Sequence, residues 1–278
     1  HQRPGKAGSA ASAQNRALAR SRASEPNAVK IKNVHGNTLD LLGEAIVAGH
    51  YEAGAVLPAE PLLGEELGVS RTVVREAVKS LVAKGLLRTG PKVGTRVQPA
   101  EAWNWFDPDL VAWQSKVGLT RDFLRDLHEL RVVVEPAGVR LAAQRATAPD
   151  IVELEAAFAG MTHAVQHGGD YVTPDLRFHQ GLLRASHNRM LMQMSKALAA
   201  VLRVSFELST LKPGRAGGSL PQHRAVLDAV IARDPRKAER AIVVLIDDAG
   251  REIERMISSR RKLPSLSAPA RRLIARPN

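Results

Sequence analysis

The sequence predicts a mainly α-helical protein with two folded parts: an N-terminal winged helix-turn-helix domain and a C-terminal all-α antiparallel bundle. Three observations carry that prediction. Apolar residues recur at helical spacing through most of the chain, above all from Thr120 to Ser259. The stretch LPAEPLLGEELGVSRTVVREAVKSLVAKGLLRTGPKVGTRV, from Leu57 to Val97, reads as helix, turn, helix and short β-ribbon. Aromatic residues are 4% of the 278 residues while Ala, Leu and Val abound, which favours helices over a β-sandwich.

Residues 1–34 are rich in Ala, Ser, Gly, Gln and Arg and show little periodicity, so a disordered basic arm is expected. Such an arm is either a passive leader or a source of salt-dependent, sequence-independent DNA affinity. Residues 35–98 are assigned to the winged helix. Its first helix is expected from Asn37 or Thr38 to about Ala48, with Leu39, Leu42, Ile46 and Val47 inward, before a loop marked by Gly49, Gly54 and Pro58. Leu62, Leu63, Leu67 and Val69 give the next helix an apolar side. Gly68 ends it, and Ser70 caps the following helix by accepting a bond from its free N–H groups. There Val73, Val74, Ala77, Val78, Leu81 and Val82 face inward. The opposite face carries Arg71, Thr72, Arg75 and Lys79. Leu86–Arg88 and Thr95–Val97 suggest the two strands of a wing with Lys92 at its tip.

A cation at a helix N-terminus works against the macrodipole. Helix stability alone would favour Asp or Glu there, so Arg71 and Arg75 look placed for an outside anion. The planar fork of Arg takes guanine O6 and N7 together or clamps a phosphate. The first turns of a recognition helix are where base edges are met. The alternative is a solvated basic face of a surface helix.

Residues 99–119 form a linker. All three tryptophans, Trp103, Trp105 and Trp113, lie in it with Phe106. A base-stacking platform is conceivable, but Glu101, Asp107 and Asp109 accompany them, and a packed inter-domain hinge is preferred. Residues 120–259 are expected to hold six helices, near 120–146, 149–166, 173–186, 189–210, 221–232 and 235–260. Pro136 should bend the first. Pro213-Gly214, Gly217-Gly218 and Asp234-Pro235 should separate the later ones. Residues 260–278 read as a basic tail.

Composition bounds the function. A net charge of +12 suits a polyanionic partner, and the motif makes that partner double-stranded DNA rather than a membrane. The chain has no cysteine, which excludes disulfides and thiolate metal sites. No apolar run reaches the roughly 18–20 residues of a membrane span. The N-terminal segment lacks the apolar region of a signal peptide, so a cytoplasmic location is expected.

In the bundle, Asp175 and His179 stand four residues apart on one helix face, and His223 begins a later helix just after Pro221. One carboxylate and two imidazoles suit a divalent cation such as Zn²⁺, Ni²⁺ or Mn²⁺. By spacing alone the signal is weak, and an Asp/His pair four residues apart is more often a surface contact. His128, His163, His167 and His187 have no comparable spacing and read as surface or packing residues. Arg131 lies on a largely apolar side, where it needs a carboxylate. Glu135, four residues on, is one candidate and an acidic ligand is the other.

The motif LPAE-x-x-L-x-x-x-x-GVSRT-x-V-R-E-A-x-x-x-L-x-x-x-GLL resembles the DNA-binding domain of the GntR superfamily of bacterial transcription regulators over nearly every position from Leu57 to Leu87. The resemblance implies that Arg71, Thr72 and Arg75 touch DNA and that the wing tip helps. Relatives often carry a phosphate-binding Arg where this chain has Pro61. The segments RDLHELRVVVEPAGVRLAAQRAT, D-x-R-F-H-Q-x-L-x-x-A-S-H-N and Q-H-R-A-V-L-D-A-V-x-x-x-D resemble the ligand-binding domain of the FadR-type subfamily, called FCD. Metal-binding members use one Asp and three His. Asp175, His179 and His223 match the first three, and Leu245 stands where the last His would fall; Asp247 and Asp248 are near but out of phase. Arg131 matches the recurring Arg of the first long helix, which implies an effector carboxylate beside the metal. Arg177, Arg203 and Asn188 are further effector candidates. The connector WNWFDPDLVAW is similar to that of sugar-acid regulators in this subfamily, which implies an effector such as D-galactonate or a related aldonate. The resulting expectation is a homodimeric repressor released from a pseudo-palindromic operator by its effector, with no organic cofactor and no enzymatic activity. The competing readings are a metal-dependent hydrolase fused to a DNA-binding module and a nucleoid-type protein acting through its basic tails.

Overall fold

The structure, a computed structural model, describes residues 27–211 and 214–259. The expected arm up to residue 26 and the tail from residue 260 lie outside the described residues. Helix α1 (Asn27–Val47) begins ahead of its expected start, so residues 27–34 are helical rather than part of a disordered arm. No proline interrupts the stretch, and each residue added to an existing helix gains a hydrogen bond.

Helices α2 (Glu60–Leu67) and α3 (Arg71–Ala83) form the helix-turn-helix. Gly68 closes α2 in the left-handed conformation, φ 65°, and its N–H returns to the carbonyls of Glu65 and Gly64. Strands β1 (Leu87–Gly90) and β2 (Gly94–Val97) pair antiparallel, with Leu87 opposite Val97 and Arg88 opposite Arg96. The winged-helix core joins Leu42 and Ile46 of α1, Leu63 of α2, Val74, Ala77 and Leu81 of α3, and Leu87 and Val97 of the wing. Two expected core residues differ. Leu62 is 51% exposed and Val82 is 36% exposed, because Leu63 and Leu81 already fill the inward positions of their turns.

The linker becomes a helix, α4 (Pro108–Val117), capped by Asp107, which accepts from the N–H groups of Asp109 and Leu110. Trp113 is fully buried in the winged-helix core and donates its indole N–H to Asp40 Oδ1 at 2.8 Å. Its ring lies flat against Gly43, where an added Cβ would stand 2.6 Å from two ring carbons. Val111, on another side of α4, packs into a different cluster with Leu124, Leu127, Val201 and Leu208 of the bundle.

The bundle comprises α5 (Arg121–Arg145), α6 (Ala148–His167), α7 (Val172–Ala185), α8 (Arg189–Ala197), α9 (Ala199–Thr210), α10 (Arg215–Ile231) and α11 (Pro235–Ser259). Its main core gathers Val139, Met161, Phe178, Leu182, Leu227, Ile242 and Ile246. Helix α5 runs through Pro136 without interruption. The helix expected at 189–210 is two, divided at Leu198, whose ψ of −12° is too shallow to continue the spiral. Helix α10 starts at Arg215, not near 221. Gly217 and Gly218 are therefore helical, and Pro221 costs one backbone bond close to the helix start. Among the described residues no helix is long and apolar enough to cross a membrane.

Candidate DNA-reading face and ligand cleft

The N-cap Ser70 accepts a bond from the Val73 N–H at 3.4 Å and starts α3 at Arg71. Burial of Val74, Ala77, Val78 and Leu81 fixes the rotation of α3, so Arg71, Thr72 and Arg75 stand exposed. Among the described residues neither guanidinium has an ion-pair or hydrogen-bond partner. Lys79 differs, since its ammonium holds Glu76 at 2.8 Å in an exposed pair of little strength. Arg75 and Lys79 border a groove whose other wall is Thr89 and Thr95 of the wing. Lys92 sits at the wing tip with φ 68°.

The second site is a cleft in the bundle. Asp175 and His179 come from α7 and His223 from the middle of α10, all buried. One ligand atom from each lies within 4.8 Å of the others. Asp175 Oδ1 is 3.0 Å from His223 Nε2 and 3.4 Å from His179 Nε2. The far ring nitrogens settle the tautomers. His179 Nδ1 donates to Glu135 Oε2 at 2.5 Å, and His223 Nδ1 donates to the Ser219 carbonyl at 2.9 Å. Each Nδ1 thus carries a proton, and each Nε2 faces the Asp175 carboxylate, donating to it when protonated and presenting a lone pair when not. Asp175 Oδ1 and the two Nε2 atoms form a compact donor set of one carboxylate and two imidazoles, which fits a divalent metal, and Glu135 and the Ser219 carbonyl already hold the far ring nitrogens as outer partners.

The charges in the cleft act on one another. Burial works to lower the His179 pKa, but the charges of Glu135 and Asp175 and their hydrogen bonds outweigh it and raise the value. Burial works to raise Asp175 and Glu135, yet His223 and His179 hold Asp175 down, and Arg131 and His179 hold Glu135 down. The pocket keeps its carboxylates ionised by pairing them with Arg131 and with protonated His179, so a divalent metal at Asp175 would displace the His179 Nε2 proton.

Arg131 lines the same cleft. Its Nε donates to Glu135 Oε1 at 2.7 Å, its Nη1 donates to Ser205 Oγ at 2.9 Å, and its Cζ lies over the Phe206 ring, 4.8 Å from the ring centre. Glu135 therefore links the buried guanidinium to His179. The structure does not bring the other candidates here. Arg177 is exposed. Asn188 caps α8 by accepting from Met190 and Leu191 N–H groups. Arg203 is a partly exposed residue 3.9 Å from Glu207. Leu245 lines the cleft without a ligand atom, and Asp248 is engaged instead by Arg215 at 2.7 Å. Sequence reasoning missed Tyr171, Thr210, Arg215 and Ser219 as cleft residues. Arg215 was hidden by the glycines that follow it, which read as a loop. Tyr171, one of two tyrosines in the chain, was the available signal; its hydroxyl pairs with Ser219 Oγ at 2.7 Å.

A winged helix with unpaired arginines at the start of its second motif helix, joined to a helical domain with a charged cleft, defines a DNA-binding regulator. Residues 36–97 match the family described as bacterial regulatory proteins, gntR family, and residues 126–248 match the FCD domain. The galactonate operon transcriptional repressor of Escherichia coli (strain K12) is 34% identical over 214 residues, 77% of this chain and 93% of that protein. The uncharacterized HTH-type transcriptional regulator YieP of the same organism is 32% identical over 217 residues, again 77% of this chain and 93% of that protein. The solved structure of Lar, which controls expression of the Listeria monocytogenes agr system, shares the fold with a TM-score of 0.59 at 18% identity, covering 80% of this chain and 97% of that one. The chain belongs to the GntR family and carries an FCD domain: it is a transcription regulator that binds DNA. These matches are to regulators and not to enzymes, so the hydrolase reading has no support.

Proposed function

We propose that the protein is a homodimeric repressor of sugar-acid catabolism, acting in the cytoplasm and released from its operator by D-galactonate or a related aldonate. The observation that carries the reading is the triad of Asp175, His179 and His223 opening on the same cleft as Arg131. A divalent metal held by the triad would supply a Lewis-acidic centre for a carboxylate and its neighbouring hydroxyl. The likeness to the galactonate operon repressor supports the sugar-acid class.

Helix α9 supplies the connection to DNA. Its Phe206, Ser209 and Thr210 line the cleft, while its Val201, Val204 and Leu208 pack with Val111 of α4. Helix α4 is in turn embedded in the winged helix through Leu110 and Trp113. Lys84, at the end of α3, holds Asp107 at 2.9 Å and Asp109 at 2.7 Å. A ligand that moves α9 therefore moves α4 and the recognition helix together. Turning a 1:99 equilibrium into 99:1 requires a preference of about 5.5 kcal/mol for the released arrangement.

The test is a thermal-shift screen of the full chain against a panel of aldonates, with and without Zn²⁺, Ni²⁺ or Mn²⁺. An aldonate should raise Tm only with metal, and the same compound should dissolve the DNA complex in a gel shift. A panel without any stabilising aldonate would refute the effector class. Sedimentation showing a monomer would refute the dimer.

A further inference from the structure

The wing carries a charge arrangement that the recognition helix does not explain. Arg88 of β1 and Arg96 of β2 stand directly opposite each other. Like charges at opposed positions of an antiparallel pair are unfavourable. No acidic residue lies between Gly85 and Ala100 to relieve them. Among the described residues Arg88 has no polar partner, and Arg96 has one, the Gly54 carbonyl, to which its Nη1 donates at 2.7 Å. That bond steadies the Arg96 fork without neutralising it. Strand alternation fixes the direction. Leu87 and Val97 are buried, so Thr89 and Thr95 share their face and line the groove with Arg75 and Lys79. Arg88 and Arg96 take the opposite face, turned away from the recognition helix.

We propose that Arg88 and Arg96 form a phosphate clamp on the outer face of the wing, gripping the DNA backbone without reading sequence. A strand of duplex that fills the groove between α3 and the wing puts the ribbon over the adjacent minor groove. The minor groove is only about 6 Å wide, so the outer face of a ribbon lying there meets the far phosphate ridge. Two arginines carried at opposed positions of the ribbon match that ridge, and the anion removes the repulsion that the free wing tolerates.

The test uses the full chain with Arg88→Gln, Arg88→Glu and, as a control on base reading, Arg71→Ala. Affinity is measured across a salt titration for a random-sequence duplex and for a duplex that the wild-type protein selects from a random library. Arg88→Gln should weaken both duplexes by the same factor, roughly five- to tenfold at about 0.1 M salt, and make the log–log salt slope shallower by about 0.9. It removes no intramolecular partner and relieves the repulsion with Arg96, so Tm should hold or rise slightly. Arg88→Glu should raise Tm by pairing with Arg96 while weakening DNA further. Arg71→Ala should instead weaken the selected duplex preferentially. Unchanged affinities and slope in both Arg88 variants would overturn the clamp, as would a loss confined to the selected duplex. Arg71→Ala weakening DNA in that same series keeps such a failure separate from any failure of DNA binding itself.

Discussion

Replacing Glu135 by Gln tests the cleft most directly. Glu135 is 2% exposed and its two oxygens accept from two different cations, Arg131 at 2.7 Å and His179 at 2.5 Å. A glutamine keeps the shape but presents one oxygen and one NH₂ group. The NH₂ must face either the Arg131 N–H or the His179 N–H, a donor against a donor. The substitution also leaves Arg131, itself 4% exposed, without its counter-charge. Breaking a buried pair from one side costs about 3–5 kcal/mol. With a denaturant slope near 3 kcal/mol per molar, the urea midpoint of metal-stripped protein should fall by about 1 M or more. Removing the cation as well, in Arg131→Met combined with Glu135→Gln, should recover a good part of that loss. Metal affinity reports separately, because Glu135 fixes the His179 ring; losing such an outer partner typically costs about 10–100-fold. The measurements are urea unfolding followed by circular dichroism and a competition titration with a chelator. A midpoint within about 0.3 M of wild type would show that Arg131 finds compensation elsewhere, against the paired geometry.

Arg71→Ala should weaken operator binding by about 1–3 kcal/mol per site if Arg71 reads a base, and an unchanged gel-shift titration would remove it from the interface. Asp175→Asn should abolish the metal-dependent rise in Tm while leaving affinity for random-sequence DNA intact; a retained metal shift would mean the ion binds elsewhere. Gly85→Ala should destabilise the winged helix by about 2 kcal/mol or more, because φ is +82° there and the new Cβ would collide with the Ala102 carbonyl oxygen. Thermal unfolding at wild-type Tm would contradict that geometry. Trp113→Ala should cost about 3–5 kcal/mol, from a fully buried indole that also holds Asp40, and a much smaller loss would show that α4 is not anchored in the winged-helix core.

Local chemistry was legible in the sequence wherever one element alone decides it. Ser70 as a cap, Gly68 as a stop, the cationic start of α3 and the four-residue spacing of Asp175 and His179 all follow from helix periodicity and hydrogen-bonding capacity. So do the winged helix and the helical domain as classes, since each is a pattern of contiguous segments. Two boundaries in the bundle misled. Glycines at 217 and 218 and proline at 221 look like breakers, but a helix packed into a core tolerates them. Leu198 looks like any helical leucine, yet the chain turns there so that α9 can reach α4.

What only the tertiary structure decided is which distant residues share a point in space. The local pattern favours Arg131 by its apolar side, but only the fold shows that Arg177 and Arg203 miss the cleft and joins Glu135 to His179 across two helices. Nothing in the local pattern shows that α9 touches the cleft on one side and the linker on the other. Periodicity tells a side chain which face of its own helix to occupy. The neighbour that face will meet depends on how helices far apart in sequence cross, and that is set by the whole core packing at once.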